Sequence, residues 1–126
     1  MTDQAAPARR INLADLRRKA IETHQAGDLE TAKTQYRLLL SRAPRDAALW
    51  TNLGALHRKQ KDFAAAVACQ RRAVELDPDS ADFLNNLGNA LYDDGALEEA
   101  LAVRRRVAEM RPGDATALQY VATSLR

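Results

Sequence analysis

Residues 46–78 read DAALWTNLGALHRKQKDFAAAVACQRRAVELDP, and the proline that ends this stretch recurs along the chain at a constant interval. Pro44, Pro78 and Pro112 are spaced 34 residues apart. A fixed period of this size is typical of a stacked repeat array, in which each unit is one supersecondary element. The chain is therefore predicted to be a repeat protein.

The same period carries residues that can begin helices. Polar residues with a side-chain oxygen recur every 34 residues, at Asn12, Asp46, Ser80 and Asp114. Each can accept a hydrogen bond from a backbone N–H that the first helical turn leaves unsatisfied. We therefore expect each of them to begin a helix.

A turn is predicted fifteen residues after each of the first three caps, at Gly27, Lys61 and Gly95. Glycine tolerates the left-handed conformation that often ends a helix, and Lys61 takes the place of glycine in the middle unit. The next residue can cap a second helix in two units but not in the third: Asp28, Asp62 and Ala96. Every unit therefore reads as helix, tight turn, helix and proline stop.

A sequence pattern recurs within these units. The middle unit carries Trp50, Leu53, Gly54, His57, Ala66, Gln70 and Pro78, and the third carries Leu84, Leu87, Gly88, Leu91, Ala100, Arg104 and Pro112. This pattern resembles the tetratricopeptide repeat family, whose signature is W-x2-L-G-x2-Y, A-x3-F and P. The resemblance covers residues 12–126. It implies an all-α, right-handed α-solenoid of three helix-turn-helix units and one C-terminal capping helix.

The domain organisation follows from the period. Residues 1–11 lack helical periodicity and are predicted to be a flexible N-terminal tail. The repeats are predicted at residues 12–46, 47–80 and 81–114, and the capping helix at residues 115–126. A chain that ends after one helix of a fourth unit is also compatible with a fragment of a longer protein, and the sequence leaves both alternatives open.

The composition favours one small soluble domain, since 46% of the 126 residues are hydrophobic, 29% are charged and the net charge is +2. No stretch approaches the roughly 20 apolar residues that span a bilayer, so we predict a cytoplasmic protein without membrane insertion. Nucleic-acid binding is not expected at this charge without interleaved stacking aromatic residues.

The sequence contains no recognisable nucleophile with its base, no paired catalytic carboxylates and no glycine-rich phosphate loop. We therefore predict a protein that is not an enzyme and that needs no cofactor. No metal site is predicted either, because Cys69 is the one cysteine and His24 and His57 lie in different units. His57 is expected to pack, His24 to be exposed, and the guanidinium of Arg104 to reach solvent.

In stacked repeats of this kind, the first helices line a concave groove where partners bind. By register with the family, the candidate partner-binding residues are Arg17, Arg18, Asn52, Arg58, Asn85, Asn86, Asn89, Tyr92, Gln119 and Tyr120.

Asn52 and Asn86 occupy equivalent repeat positions. An amide can donate to a peptide backbone and accept from it at once, and the pair resembles the asparagine ladder in the repeat region of O-linked N-acetylglucosamine transferases. The alternative is that these side chains bond between helices or face water. Chaperone C-terminal tails are not expected as ligands, because Asp82 would repel their carboxylate.

These observations favour a protein–protein interaction module or scaffold that binds an extended peptide or a partner helix in the groove. The predicted partner is thus a protein or peptide. Two alternatives remain open. The chain could be the N-terminal, substrate-recruiting region of a larger enzyme such as a glycosyltransferase, or it could assemble into a homo-oligomer.

Overall fold

The computed structural model describes residues 12–111, and all regular secondary structure in that range is α-helical. The six helices are α1 (Leu13–Gln25), α2 (Leu29–Arg42), α3 (Ala47–Lys59), α4 (Phe63–Leu76), α5 (Ala81–Asp93) and α6 (Leu97–Met110). The predicted tail at residues 1–11 and the predicted capping helix at residues 115–126 lie outside the described residues. Gln119 and Tyr120 therefore lie outside them too.

Helix capping follows the sequence pattern. A side-chain oxygen accepts a hydrogen bond from the backbone N–H three residues further on at Asn12, Asp28, Asp46, Asp62 and Ser80. These bonds confirm the five predicted caps within residues 12–111. Ala96 begins α6 without a side-chain cap, because its methyl group cannot accept a hydrogen bond.

The turns inside the hairpins have the backbone conformation that the sequence predicts. The φ angles are +91° at Gly27, +61° at Lys61 and +85° at Gly95, all in the left-handed region. Within the described residues, Lys61 is the one residue other than glycine with a positive φ. The middle hairpin therefore carries backbone strain that the glycine turns avoid.

Residues 12–44 belong to the first of two compact units. Helix α1 packs against α2 there, and Ala20 and Ala32 are completely buried. Alanine at both positions lets the helices approach closely. Tyr36, Leu39 and Leu40 complete the buried side of α2.

The second unit comprises α3 to α6, with α3 against α4, α4 against α5, and α5 against α6. Its core joins α4, α5 and α6 through six buried residues: Ala66, Val67, Leu87, Ala90, Leu91 and Ala100. Leu84 and Val107 form a second buried pair between α5 and α6. Within this unit, a polar cavity lies beside α3, α4 and α5.

Two of the expectations for individual side chains are wrong. His24 is half-buried, and its Nδ1 lies 2.9 Å from the hydroxyl of Tyr36, against which the ring packs edge to face. Arg104 is only 7% exposed instead of reaching solvent. His57 is buried as expected, and so is Cys69.

Candidate partner-binding site

A cavity of about 150 Å³ opens in the second unit beside α3, α4 and α5. It is lined by Thr51, Asn52, Gly54, Ala55, Arg58, Gln70, Asn86, Asn89 and Ala90. We call it the amide cavity, because three asparagines and one glutamine contribute to its wall. Four of the predicted partner-binding residues meet there: Asn52, Arg58, Asn86 and Asn89.

A chain of hydrogen bonds crosses the wall of this cavity. The Thr51 hydroxyl donates to Oε1 of Gln70 at 2.5 Å, and Nε2 of Gln70 donates back to the Thr51 carbonyl at 3.2 Å. Nδ2 of Asn86 donates to the Thr51 hydroxyl oxygen at 3.0 Å. The chain joins α3, α4 and α5, and it ties Asn86 to the neighbouring repeat.

These contacts determine which way the Asn86 amide is oriented. The Thr51 hydroxyl has one proton, which it gives to Gln70, so it can only accept from Asn86. The bonding atom of Asn86 must then be its nitrogen, and Oδ1 is left as an acceptor. The sequence left open whether Asn86 binds a partner or bonds between helices. Its nitrogen forms such a bond between helices, and its oxygen does not take part in that bond.

Gly54 makes this arrangement possible. A Cβ atom at position 54 would lie 2.5 Å from Nε2 of Gln70 and 3.2 Å from Cβ of Cys69. Gln70 is 4% exposed, so its amide runs through the space that any side chain at position 54 would fill. The glycine thus lets an α4 side chain reach the cavity between α3 and α5.

Asn89 receives its orientation from Arg104 on α6. Nη2 of Arg104 donates to Oδ1 of Asn89 at 3.4 Å, and the guanidinium carbon lies 4.8 Å from the centre of the Tyr92 ring. Arginine has no acceptor atom, so the bonding atom of Asn89 must be its oxygen. The nitrogen of Asn89 then remains as a donor, and Asn89 lines the cavity.

Arg58 supplies a positive charge to the amide cavity. Its Nε donates to Oδ2 of Asp93 on α5, forming an ion pair between the first helices of two successive repeats. The Arg58 side chain is 51% exposed and that of Asp93 is 22% exposed. This pair leaves the Nη end of the guanidinium available for another acceptor.

The remaining predicted residues lie elsewhere. Arg18 is exposed on α1 and pairs with Asp15 at 3.3 Å and Glu22 at 3.7 Å on its own helix. Arg17 is half-buried on the same helix. Asn85 is half-buried on α5 and Tyr92 is 52% exposed, but neither lines the amide cavity.

In the first unit, the positive charge of Arg17 affects the pKa of the Tyr36 hydroxyl. Burial raises the pKa of the Tyr36 hydroxyl, and the positive charge of Arg17 partly offsets that increase. The hydroxyl therefore stays protonated at neutral pH, where it bonds to His24.

Two residues that shape the site were missed from the sequence: Gln70 and Arg104. Gln70 and Arg104 occupy the position where the family pattern has an aromatic residue, and Tyr36 occupies it in the first repeat. A polar residue at this family position could have indicated the contact. A buried polar group needs a hydrogen-bond partner, and in both repeats that partner lies on the first helix.

Residues 12–111 contain neither a metal-binding cluster nor a helix that could span a membrane. In that range, no group of three or more His, Cys, Asp or Glu side chains is arranged to hold a metal ion. None of the helices described there combines the length and hydropathy that crossing a bilayer requires.

Two family models match overlapping parts of residues 56–111. A model described as TPR repeat matches residues 56–95, and one described as tetratricopeptide repeat matches residues 80–111. Among curated proteins, BBSome complex member BBS4 of Mus musculus is 37% identical over 68 residues, which are 54% of this chain and 13% of that protein. Small glutamine-rich tetratricopeptide repeat-containing protein 2 of Saccharomyces cerevisiae is 28% identical over 102 residues. The chain thus spans 13% and 30% of these relatives.

Solved structures share the fold over most of the chain. The first TPR of Spaghetti (RPAP3), bound to the HSP90 peptide SRMEEVD, has a TM-score of 0.80 and 24% identity, covering 89% of each chain. A mutant O-GlcNAc transferase of Thermobaculum terrenum has a TM-score of 0.76 and 29% identity, covering 90% of this chain and 22% of that one. With the six helices of residues 12–111, these likenesses confirm the predicted all-α solenoid fold class.

Proposed function

Because the chain belongs to the tetratricopeptide repeat family, we propose that it is a protein-interaction module whose amide cavity binds the main chain of an extended peptide segment. The observation that carries this proposal is the set of three asparagines around one cavity. Asn86 retains an acceptor and Asn89 retains a donor, because their other atoms bond to Thr51 and Arg104.

A peptide unit is the natural complement of such a pair. Each residue of an extended segment offers one N–H and one C=O, and both need partners when they leave water. The acceptor of Asn86 suits the N–H, and the donor of Asn89 suits the C=O. Asn52, half-buried on α3, can supply both kinds of atom.

An extended segment fits this site better than a partner helix. In a helix the backbone N–H and C=O groups bond to each other along the chain. They would leave the asparagine amides without a main-chain partner, and buried amides without partners cost free energy. We therefore favour the extended peptide of the two alternatives that the sequence left open.

The comparisons support an interaction module in general terms. The first TPR of RPAP3 is bound to an HSP90 peptide, and the TPR2B domain of yeast Sti1 forms a complex with pHsp70. At 24% and 23% identity these structures establish the fold, so the choice of ligand here rests on the amide cavity. We propose no catalytic role for the described helices.

One observation favours a second function. The O-GlcNAc transferase structure matches 90% of this chain, although the chain covers only 22% of that enzyme. A repeat region that recruits substrate for a larger enzyme is therefore the alternative proposal. Both proposals require that the amide cavity binds a peptide segment.

Selection from a random peptide display library tests the proposal. Peptides that bind the immobilised protein would be synthesised, and their dissociation constants measured with the wild type and with Asn52→Ala. We expect about tenfold weaker binding, because each lost hydrogen bond to a buried partner removes on the order of 1 kcal/mol. Asn85→Ala is the matched control, since Asn85 lies on α5 outside the cavity.

Asn86 requires a separate control because it also bonds between helices. Thr51→Val removes the Asn86 contact to α3 and keeps the Asn86 side chain. We expect Asn86→Ala to weaken peptide binding more than Thr51→Val does, with helicity checked by circular dichroism. If Asn52→Ala binds the selected peptides as tightly as the wild type and the Asn85→Ala control do, the amide cavity is not the binding site.

A further inference from the structure

We infer that the amide cavity selects segments carrying an acidic side chain, whose carboxylate binds Arg58 while Asp93 opposes it as an internal counter-charge. This inference rests on the proposed function and names the chemistry of the partner. It concerns Arg58 and Asp93, which belong to the second unit and join α3 to α5.

The charge of the cavity wall points to an anionic group. Among the described residues that line the cavity, Arg58 is the one that carries a charge, and the others are amide, hydroxyl or apolar. The carboxylate of Asp93 is not part of the lining. A negatively charged group in the cavity would therefore meet a cation and amide N–H donors, whereas a positively charged group would be repelled by Arg58.

The geometry of Arg58 suits a carboxylate. Asp93 binds the guanidinium through Nε, on one edge of the planar group. The Nη atoms form the fork that binds carboxylates in bidentate fashion. A volume of about 150 Å³ is several times the roughly 30 Å³ that one water molecule occupies in the liquid, so the cavity has room for a side-chain carboxylate.

Asp93 weakens the binding of a ligand carboxylate to Arg58. An incoming carboxylate would share one guanidinium with Asp93, and two like charges at a single cation repel each other. The Asp93 side chain is 22% exposed, so water screens this repulsion only in part. Asp93→Asn keeps an oxygen that can accept from Nε of Arg58 and removes the negative charge. It should therefore favour acidic ligands without releasing Arg58 from its position.

The experiment uses pairs of peptides chosen by the display selection. Each acidic residue that the selection enriches is synthesised as glutamate and as glutamine, with the carboxyl terminus amidated in both. We expect the wild type to bind the glutamate peptide about tenfold more tightly, and we expect Arg58→Gln to reduce that preference to about onefold. Arg58→Lys keeps the charge without the fork, so it should retain part of the preference.

Asp93→Asn provides a readout that a purely structural role of Arg58 would not change. It should tighten binding of the glutamate peptide several-fold and leave the glutamine peptide unaffected. Lys59→Gln is the matched control, because Lys59 is an exposed cation next to Arg58 that does not line the cavity. That variant removes the same charge and should keep the preference for glutamate.

The outcomes separate the two proposals. Selected peptides without an enriched acidic residue, or equal affinity for the glutamate and glutamine forms, would overturn this inference and leave the peptide-binding function standing. Failure to select any peptide would overturn both. A peptide that binds through a free terminal carboxylate, and loses affinity only when that terminus is amidated, would also contradict a side-chain carboxylate at Arg58.

Discussion

A Cβ atom added to Gly54 would lie 2.5 Å from Nε2 of Gln70, so these two residues fit together only because position 54 has no side chain. Gln70 cannot move aside without cost, because it is 4% exposed and bonds to Thr51 through both its oxygen and its nitrogen. The shape of the amide cavity therefore depends on one missing methyl group.

Gly54→Ala should destabilise the protein by about 1 kcal/mol. Displacing the Gln70 amide breaks two hydrogen bonds worth about 0.5–1.5 kcal/mol each. The alanine recovers at most about 1 kcal/mol through its higher helix propensity. The free energy of unfolding, measured by urea denaturation, checks this expectation.

Gly88 is the matched control, since it occupies the same position in the next repeat. A Cβ there would lie 3.4 Å from Cγ of Arg104 and 3.5 Å from Cγ1 of Val103, which are ordinary contacts. Gly88→Ala should leave the free energy of unfolding unchanged or raise it by up to about 1 kcal/mol. Equal destabilisation by the two variants would mean that contact with Gln70 does not explain the effect.

The sequence predicted the helices and turns well because their signals are local. A cap such as Asp46 depends on the chain within three residues of it, and the turn at Gly27 depends on the φ angle of a single residue. Repetition of these signals every 34 residues reinforced each of them. The order of helices could therefore be derived without knowing any long-range contact.

The candidate site was only partly predictable. The family register brought Asn52, Asn86 and Asn89 to one surface, but it could not show which atoms of their amides are already used. The stem of Arg104 was expected to pack while its guanidinium reached solvent, yet the residue is 7% exposed and its guanidinium lies against Tyr92. A long polar side chain can extend to either side of its helix. Its direction depends on hydrogen-bond and ring contacts with residues of other helices or turns, which the local sequence does not reveal.

Lys61→Gly should stabilise the protein by about 1 kcal/mol. Lys61 has a φ angle of +61°, which forces its Cβ towards the neighbouring carbonyl, whereas glycine adopts this conformation without that contact. The side chain is exposed, so little packing is lost. The midpoint of thermal unfolding should rise accordingly.

The glycine turns provide the reverse test. Gly27 and Gly95 have φ angles of +91° and +85°, and nothing lies within 4 Å of a Cβ added to either. Gly95→Ala should therefore destabilise the protein through backbone strain alone, by about 1 kcal/mol. If Gly95→Ala is neutral and Lys61→Gly brings no gain, strain at this turn position is not significant.

Ala96→Ser should stabilise α6 by about 0.5–1 kcal/mol. Ala96 has φ −81° and ψ 68°, close to the angles of the capping residue Asp62, but it makes no side-chain hydrogen bond. A serine oxygen can accept from a backbone N–H in the first turn. Serine avoids adding a charge beside Glu98 and Glu99. Urea denaturation measures the gain, and Asp62→Ala should show a loss of similar size.

The ion pair between Arg71 and Glu99 should make stability depend on pH in the acidic range. Arg71 donates to both carboxylate oxygens of Glu99, from Nη2 to Oε1 at 2.8 Å and from Nη1 to Oε2. These bonds hold the pKa of Glu99 below its ordinary value, although burial slightly opposes the shift.

Because the folded pKa of Glu99 lies below the unfolded one, the unfolded state binds more protons between the two values. The stabilisation is fully present above the unfolded pKa and is lost as the pH falls through the folded pKa. Both side chains are nearly half exposed, so solvent screening limits it to about 0.5 kcal/mol. Glu99→Gln should therefore differ most from the wild type near neutral pH, and the difference in unfolding free energy should shrink in acid.

Glu98→Gln removes the same charge from the same turn and leaves the Arg71 pair intact. A difference that is constant with pH, or equal for the two variants, would contradict a contribution from this pair.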